Sequence, residues 1–395
     1  MRRRVRYSNY SRRARLIAAG IDLAALPAAP LLRLLAPRGM APSPPRSILV
    51  VRLDHIGDMP MTTPALRALR LTFPAARIDV LAAPSGQTAL AGNPDVDRIL
   101  TGIAPWYDPR RGELPAPAEV LRLSARLRRE AYDWAFDMRG DPRVVLLYLL
   151  PAARRRFGFS GLGLARLLTD TIPYDRRRPP RDLALDLAVL AGARPAGLRP
   201  VYTLDPAARR RAAAILGEAG LGPDQEFAVV APGSNRPNAR WGGARFARVC
   251  DRLQGAGLKI VLSGRAEDAA VTGEVAALAR RPVADLTGRL DLRHLAAALE
   301  RAVLLLANDS GASHLAAAVD CATVAVFGPG DPALFFPYQD GRRFVAVAGA
   351  IDHPRPCFDP ACVSDHGFSL IAPEEVATLC LRVAEEARRA RRAIG

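Results

Sequence analysis

Cysteine is scarce in this chain, with five residues among 395. So small and odd a number excludes a disulfide framework, and a reducing cytosol is the default compartment for such a protein. Cys357 and Cys362 are the only close pair. Because no second pair accompanies them, we expect two ordinary loop thiols at these positions, with no metal and no cofactor.

The chain also lacks an apolar run long enough to span a bilayer. Its best candidate, residues 16–35, is interrupted by Asp22, Pro27 and Pro30, whereas a spanning helix needs about 20 mostly apolar residues without charge. A transmembrane anchor is therefore not expected. A cleavable signal peptide also has a basic part followed by an apolar part, and it stays open as an alternative.

Acidic residues are rare near the amino terminus. Residues 1–46 carry ten arginines and one acid, so +9 of the net charge of +17 falls in this segment. Such a segment is typical of a polyanionic partner, either a membrane surface or a nucleic acid. We expect residues 1–40 to lie on an anionic membrane surface, with a solvated extension as the alternative. The side chains expected to enter the leaflet are Leu16, Ile17, Ile21, Leu31, Leu32 and Leu35.

Aromatic residues make up only 6% of the chain. Proteins that bind single-stranded nucleic acids combine basic residues with aromatic rings that stack on the bases. Only Tyr7 and Tyr10 fit that pattern here, so no nucleic-acid partner is expected. Lysine is rarer still, because Lys259 is the single one, and arginine must supply nearly all cationic contacts.

The rest of the chain alternates strand-like and helix-like segments in two halves, which predicts an α/β fold with parallel sheets. Strands are predicted at residues 47–53, 77–82, 133–137, 226–231, 258–263, 303–307 and 322–327, and helices at 60–73, 142–150, 243–254, 267–280, 311–319 and 373–394. We expect an extension and Pro-rich linker over 1–46, Rossmann-like domains over 47–200 and 201–372, and a last helix over 373–395. Two such domains meet at a cleft, and ligands of such folds bind at the carboxyl ends of strands.

The loop after the first predicted strand carries two carboxylates, Asp54 and Asp58, on either side of His55 and Gly57. Gly57 allows a sharp turn, which brings Asp58 to the start of the next helix. The helix dipole stabilises a charged carboxylate there. Asp58 is then an N-cap, a general base that faces the cleft, or both, and Asp54 and His55 are the competing candidates for the base.

A second loop, in the second half of the chain, is suited to an anion. Gly233 and Ser234 follow a predicted strand, and Arg236 and Arg240 come shortly after them. Small residues at a strand end with nearby arginines are suited to phosphate oxygens. This pattern is not specific, since many α/β loops look similar.

A third loop is more informative. Asn308 and Asp309 end an apolar strand, and Ser310 and Gly311 open a helix, whose free N–H groups and dipole favour an anion. His314 lies on the first turn of this helix. It either reaches the same anion or is a buried, satisfied histidine. The turn at Gly328 closes the next strand and is expected to form a wall of the same pocket.

Together these loops resemble the lipopolysaccharide heptosyltransferases, glycosyltransferase family 9. Each motif alone is loose, but their order and spacing over residues 47–380 make the set specific. The first half contributes Leu53-x-x-x-Gly57-Asp58, Thr63-Pro64-Ala65-Leu66-Arg67-Ala68-Leu69, Phe73-Pro74 and Gly92-Asn93-Pro94-x-Val96-Asp97. The second half contributes Pro232-Gly233-Ser234, Arg240-Trp241, Phe246, Leu286-Thr287-Gly288, Asn308-Asp309-Ser310-Gly311-x-x-His314-Leu315-Ala316-Ala317-Ala318 and Phe327-Gly328-Pro329-x-Asp331-Pro332.

The resemblance implies a GT-B fold, with the last helix crossing back to the first domain. It also implies an inverting, metal-independent transfer of a heptose from a nucleoside-diphosphate donor, typically ADP-heptose. The acceptor would be a lipopolysaccharide core or another lipid-linked glycan at the cytoplasmic face of the inner membrane. By motif, Asp58 would be the catalytic base. The donor would contact Ser234, Arg236, Arg240, Glu267, Asp309, Ser310, Gly311 and His314, while Gly57, Gly233 and Gly328 shape the loops.

One position departs from the family pattern. Relatives often carry a lysine two residues before the tryptophan of the second loop, where it neutralises the leaving diphosphate. This chain has Ala239 there. Arg236 or Arg240 would take over that charge, but with a different geometry. A donor that carries another sugar on a nucleoside diphosphate is therefore the alternative.

Overall fold

The chain forms two compact units, Met1–Leu198 and Arg199–Gly395, in the computed structural model. The boundary predicted from the sequence is at residue 200. Each unit is built on one parallel six-stranded sheet. The residues that the structure describes are 20, 23, 27, 29–37, 39–53, 57, 59–102, 116–357, 359, 362 and 364–394.

The two sheets share one topology. The first contains β1 (Ser47–Arg52), β2 (Arg77–Ala82), β3 (Arg98–Thr101), β4 (Tyr132–Asp137), β5 (Ala153–Ser160) and β6 (Asp170–Pro173). The second contains β7 (Phe227–Ala231), β8 (Lys259–Leu262), β9 (Ala284–Asp285), β10 (Leu304–Asn308), β11 (Thr323–Phe327) and β12 (Phe344–Ala348). Their orders are β3-β2-β1-β4-β5-β6 and β12-β11-β10-β7-β8-β9. Counted from its own first strand, each sheet has the order 3-2-1-4-5-6 of dinucleotide-binding folds.

Most of the helices connect successive strands, while the first precedes β1 and the last follows β12. Those of the first unit are α1 (Ala29–Arg33), α2 (Thr63–Thr72), α3 (Pro84–Leu90), α4 (Pro117–Glu130), α5 (Pro142–Val144), α6 (Leu150–Ala152) and α7 (Pro180–Leu190). Those of the second unit are α8 (Pro206–Glu218), α9 (Gly243–Gly255), α10 (Ala269–Leu278), α11 (Leu292–Arg301), α12 (Gly311–Ala318), α13 (Pro332–Phe335) and α14 (Pro373–Ile394). Short 3-10 turns lie at Pro60–Thr62, Ala165–Leu167, Pro237–Ala239, Ala266–Asp268 and Phe368–Leu370, and a π turn at Val145–Leu149.

The predicted central strands are confirmed, because both faces of each sheet are covered. Ile48, Leu49 and Val50 of β1 have no solvent exposure, and β1 pairs in parallel with β2 and β4 on its two sides. A continuous apolar run is the sequence signature of such a strand. Proline in the first turn begins many of the helices, including α2 and α8, where its missing N–H costs no hydrogen bond.

Strand β5 is not predicted by the sequence, because Arg154, Arg155 and Arg156 hide its pattern. The guanidinium of Arg155 lies over the rings of Trp134 and Phe157, at 5.3 and 4.8 Å from their centroids. The buried Arg156 donates from Nε to the carbonyl of Leu167 at 2.7 Å. Arg155 therefore takes a half-buried position in this strand by stacking, and Arg156 a buried one by capping carbonyls.

The last helix, α14, contributes to the core of the second unit. Its buried side chains, among them Val376, Cys380 and Val383, belong to a core cluster that includes Phe246 and Leu253 of α9. The apolar faces of α9 and α14 cover each other in this cluster. The expected crossing of this helix back to the first unit stays a prediction.

The amino-terminal segment is described only in part, so Leu16, Ile17 and Ile21 lie outside the described residues. Helix α1 covers Ala29–Arg33, and Leu32 packs against the core of the first unit. Five of the thirteen large apolar side chains exposed in the described part of the chain lie here, namely Leu23, Leu31, Leu34, Leu35 and Met40. None of the helices in the described ranges is both long enough and apolar enough to cross a membrane.

Candidate active site of the second unit

The second sheet brings four loops to one edge. Strands β11, β10, β7 and β8 are consecutive neighbours, and they are parallel, so the loops that follow them leave from the same edge. Three of these are the loops that carry Ser234, Asp309 and Gly328. The fourth, after β8, carries Glu267. The expected gathering of these segments at the carboxyl ends of the strands follows from this topology.

Asn308 joins two of these loops. It has no solvent exposure, and its side-chain amide donates to the carbonyl of Pro232 at 2.6 Å. Its Oδ1 accepts the backbone N–H of Trp241 at 3.1 Å. One buried amide side chain thus fixes the loop after β7 against the end of β10, which a shorter or apolar residue could not do.

The N-terminus of α12 presents hydrogen-bond donors that can bind an anion. Ser310 is the N-cap residue of this helix, yet its side chain makes no capping hydrogen bond. The hydroxyl oxygen is buried and has no hydrogen-bond partner among the described residues. Ser234 lies beside it and donates from Oγ to the carbonyl of Asp309 at 3.4 Å. A buried hydroxyl next to free helix N–H groups, Gly311 included, is arranged to bind an anion.

Asp309 and Arg236 form the charged pair of the site. The guanidinium Nη2 of Arg236 lies 3.6 Å from Oδ2 of Asp309. Burial raises the pKa of Asp309 to about 6, although the positive charge of Arg236 opposes that rise. The carboxylate is therefore ionised at neutral pH and sits directly before the helix N-terminus. Gly330 allows this placement, because a Cβ on Gly330 would collide with Oδ2 of Asp309.

Arg240 is engaged elsewhere in the same loop. It donates from Nε and Nη2 to the carbonyl of Ser234 at 3.2 and 3.0 Å. Nη2 also lies 3.3 Å from Oδ1 of the buried Asp268. Gly233 permits this approach, since a Cβ at that position would collide with the Asp268 carboxylate. Arg240 thus supports the loop, whereas Arg236 is the arginine that pairs with Asp309.

Glu267 stands apart from the other residues of the site. Its side chain is 71% exposed, and its Oε2 lies 3.9 Å from Nε of Arg265. Its neighbour Asp268, which the sequence analysis did not single out, is the acidic residue bonded to Arg240. No local signal in the sequence marks Asp268, because its close approach to Gly233 is long-range and is visible only in the fold.

His314 is a buried, partnered histidine. Burial lowers its pKa to about 4, so the imidazole is neutral at physiological pH. The hydroxyl of Tyr338 lies 3.2 Å from Nδ1, and the two rings meet edge to face with centroids 5.8 Å apart. Tyr338 therefore fixes the ring orientation. Sequence reasoning missed it, because it lies 24 positions along the chain.

The loop of the first unit cannot be placed in the same way. Asp54, His55 and Asp58 lie outside the described residues. Gly57 is described and half-buried. The strand that precedes this loop, β1, occupies the middle of the first sheet. The assignment of Asp58 as catalytic base thus stays a prediction.

Four side chains after β12 bring together ligands that a metal prefers. They are His353, Cys357, Cys362 and His366, and their potential ligand atoms all lie within 4.8 Å of one another. The sequence analysis expected two ordinary loop thiols at Cys357 and Cys362. The structure instead places both thiols beside two imidazoles. A second cysteine pair is absent from the sequence, and the histidines that take its place were not considered as ligands.

Residues 120–366 match the model of glycosyltransferase family 9 (heptosyltransferase), which is more than half of the chain. The chain belongs to glycosyltransferase family 9. It is thus a glycosyltransferase of the heptosyltransferase family, as its motifs indicate. The lipopolysaccharide heptosyltransferase 3 of Escherichia coli K12 is 27% identical over 305 residues, which cover 73% of this chain and 84% of that protein.

Two solved glycosyltransferase structures share the fold. One is a family 9 glycosyltransferase from Veillonella parvula DSM 2008, with a TM-score of 0.73 and 23% identity over 86% of this chain and 97% of that one. The other is an E. coli heptosyltransferase with ADP-2-deoxy-2-fluoro heptose, with a TM-score of 0.64 and 20% identity over 84% and 98% of the two chains. The expected GT-B fold class is confirmed by these likenesses together with the two parallel sheets.

Proposed function

We propose that this family 9 glycosyltransferase transfers a heptose, with inversion, from ADP-heptose to a lipid-linked glycan such as a lipopolysaccharide core. Asp58 is the general base, and the loops after β7 and β10 bind the donor. The observation that carries the proposal is the start of α12. A buried Ser310 hydroxyl without a partner among the described residues stands there, beside Ser234 and Arg236.

The donor diphosphate fits this place by charge and by hydrogen bonding. The N–H groups of Ser310 and Gly311 and the Ser310 hydroxyl donate to phosphate oxygens at the positive end of the helix dipole. Arg236 adds a guanidinium that can meet phosphate oxygens in pairs. Ser234 completes the pocket edge. Such preorganised donors stabilise the charge that develops on the leaving diphosphate, in the role that other glycosyltransferases give to a metal ion.

His314 and Asp309 have distinct tasks in this proposal. The neutral imidazole of His314 donates to a phosphate oxygen from Nε2, while the Tyr338 hydroxyl holds Nδ1. The ionised carboxylate of Asp309 accepts hydrogen bonds from hydroxyl groups of the donor sugar and keeps Arg236 in place. Burial makes both sets of contacts stronger than they would be in water.

Arg236 is proposed to supply the positive charge that a lysine supplies in relatives at the position of Ala239. Ala239 is buried, with 1% exposure, and Arg240 is engaged with the Ser234 carbonyl and Asp268. Arg236 remains as the cation that pairs with Asp309, the acidic residue before Ser310 and Gly311. A guanidinium donates its hydrogen bonds in a fixed, planar geometry. An arginine in place of the lysine therefore changes the geometry in which the diphosphate is bound.

The proposed reaction uses Asp58, in the loop after β1, and the donor groups in the loops after β7 and β10. Asp58 takes the proton of an acceptor hydroxyl as that oxygen attacks the anomeric carbon. The new C–O bond forms as the bond from the anomeric carbon to the diphosphate oxygen breaks on the opposite face, which inverts the configuration. The electron pair of the broken bond leaves with the nucleoside diphosphate. Closure around the substrates excludes water and limits hydrolysis of the donor.

The acceptor is proposed to be presented by a membrane. Residues 1–46 combine ten arginines with the exposed apolar side chains of Leu31, Leu34 and Leu35. Arginines bind anionic head groups while apolar side chains enter the interface. We propose that residues 1–40 hold the enzyme at the cytoplasmic face of the inner membrane, where lipid-linked glycans are exposed to it.

A donor screen tests the proposal. The purified full-length protein is offered ADP-heptose, UDP-sugars and GDP-sugars with a lipid-linked core acceptor, and the released nucleotide and the anomeric configuration of the product are read by NMR. Release of ADP with an inverted product is expected. Release of UDP or GDP would contradict the donor assignment and favour the alternative nucleotide sugar, and a retained configuration would contradict the mechanism.

A further inference from the structure

The histidine–cysteine cluster after β12 has the composition of a metal site. His353, Cys357, Cys362 and His366 offer two imidazole nitrogens and two sulfurs, all within 4.8 Å of one another. Nε2 of His353 lies 3.9 Å from the sulfur of Cys362. Ligand atoms around a tetrahedral zinc ion are separated by ~3.3–3.8 Å, given metal–ligand distances of about 2.0–2.3 Å. Rotation of side chains therefore suffices to close the cluster around an ion.

The buried imidazole of His366 points to a ligand. His366 has no solvent exposure, and its Nδ1 has no hydrogen-bond partner among the described residues. Its other nitrogen, Nε2, lies 3.4 Å from the side-chain amide of Asn238. A buried ring nitrogen without a partner is costly. Coordination of a cation by Nδ1 removes that cost, and Asn238 then orients the ring.

His353 shows the same arrangement from the other side of the cluster. Its Nδ1 lies 2.9 Å from the carboxylate of Asp352, while Nε2 faces Cys362. A carboxylate on the far nitrogen fixes the tautomer of a metal-binding histidine and raises its basicity. Both histidines of the cluster are therefore oriented by a polar neighbour, as ligands of a metal are.

The cluster is tied to the loops that carry the donor groups. The backbone N–H of Cys357 donates to the carbonyl of Pro329 at 2.8 Å, in the turn after β11. The carbonyl of Cys357 accepts from Nη1 of Arg236 at 3.3 Å. Asn238 belongs to the 3-10 turn that follows Arg236. The cluster thus holds the backbone that positions Arg236, the partner of Asp309.

We propose that His353, Cys357, Cys362 and His366 form a closed structural site for one zinc ion. Two thiolates and two imidazoles in a compact four-membered set are the ligands zinc prefers. Four protein ligands leave no open position for substrate or water, so the ion fixes the loops and takes no part in the transfer. This agrees with a sugar transfer that needs no metal. The link from this ion to donor binding rests on the proposed function, whereas the site itself does not.

The metal content of the full-length protein tests the site. The protein is purified without metal-affinity resin or chelator, and zinc is measured by mass spectrometry against protein concentration. About one zinc per chain is expected, and Cys357→Ser together with His366→Gln removes it. Cys250→Ala, which changes a buried thiol outside the cluster, is the matched control and keeps the ion. Asp352→Asn weakens zinc affinity by about 10–100-fold, the usual effect of losing such a neighbour.

Cobalt substitution gives a readout that needs no variant. The wild-type protein is stripped with a chelator and titrated with Co²⁺, and thiolate-to-cobalt charge-transfer bands together with tetrahedral d–d bands are expected at one equivalent. A wild-type protein that binds neither zinc nor cobalt overturns the proposal. So does zinc that stays at one equivalent in the Cys357→Ser, His366→Gln variant. ADP affinity, measured in parallel, tests the link to the donor site separately. The proposed metal site is therefore tested by metal binding alone.

Discussion

At the scale of single residues, the site is distinguished by polar groups that the protein buries. Asn308 is fully buried, and both the oxygen and the nitrogen of its side-chain amide are hydrogen-bonded, which joins two loops. Ser310 is buried with its hydroxyl without a partner among the described residues. Most buried polar groups are satisfied. A hydroxyl left without a partner at a helix N-terminus therefore marks where a ligand belongs.

His314 gives a prediction about pH. Because burial lowers its pKa to about 4, the imidazole stays neutral from about pH 5.5 to pH 8. His314→Gln is expected to weaken ADP binding by ~10-fold, the effect of about 1.4 kcal/mol. The dissociation constant of ADP from the His314→Gln variant, divided by that from the wild type, should stay constant over that pH range, as measured by calorimetry.

A control and a contrary outcome accompany this measurement. His294→Gln changes a histidine that lies outside the site, beside Asp291, and should leave ADP binding unaltered at every pH. If the affinity ratio for His314→Gln instead grows as the pH falls below about 6.5, a protonated imidazolium binds the donor, and the neutral-donor role is wrong.

Residue identities at the site could be read from the sequence only where the contacts are local. Ser310, Gly311 and His314 sit together on one helix turn, and their grouping was predictable from spacing. The pairing of Arg240 with Asp268, and of Gly233 with the same carboxylate, joins separate strands. Glu267 and Asp268 are adjacent in the chain, and no local pattern shows that Asp268 is the buried acid that contacts Arg240.

At the scale of elements, continuous apolar runs predicted the central strands, and arginines concealed strand β5. The runs at β1, β7 and β10 belong to strands buried on both faces. Strand β5 was missed because its arginines stack on aromatic rings or cap carbonyls in positions usually held by apolar residues. Only the packed neighbours make that use of arginine visible.

The turn after β11 gives a prediction at this scale. Gly330→Ala adds a Cβ that collides with Oδ2 of Asp309, so the carboxylate must move and its pairing with Arg236 is disturbed. Overpacking of this kind costs about 1–3 kcal/mol of stability. We expect ADP-heptose affinity to fall by ~10-fold or more. Urea unfolding and calorimetry check the two effects.

Gly217→Ala is the matched control for that substitution. A Cβ at Gly217, within α8, meets nothing within 4 Å, so the change should leave binding unaltered and stabilise the protein by up to ~1 kcal/mol. Unchanged donor affinity in the Gly330→Ala variant would contradict the placement of Asp309 in the donor site.

At the scale of the whole molecule, the duplicated sheet order was predictable as two α/β halves, whereas the packing of the last helix was not. The sequence shows that α14 is amphipathic but not which core its apolar face joins. That choice depends on the shape of the surface formed by Phe246 and Leu253 in α9.

The uneven charge gives a prediction for the full chain. Deletion of residues 1–40 should move the enzyme from the membrane fraction to the soluble fraction, because arginines that bind anionic head groups are lost together with exposed leucines. Fractionation of cells followed by immunoblotting measures this. Replacement of the seven arginines between residues 2 and 15 by lysine keeps the charge and should keep the membrane association. Unchanged fractionation after the deletion would contradict the proposal.

The proposed mechanism depends above all on Asp58, and one kinetic measurement tests this role most directly. Asp58→Asn keeps the size of the side chain and removes its basicity, and Asp54→Asn changes the competing carboxylate of the same loop. We expect the turnover number for sugar transfer to fall by ~10²–10⁴-fold in Asp58→Asn, the usual contribution of a general base. Donor affinity should barely change, and Asp54→Asn should stay near the wild-type rate. A turnover number near that of the wild type in Asp58→Asn would contradict the account.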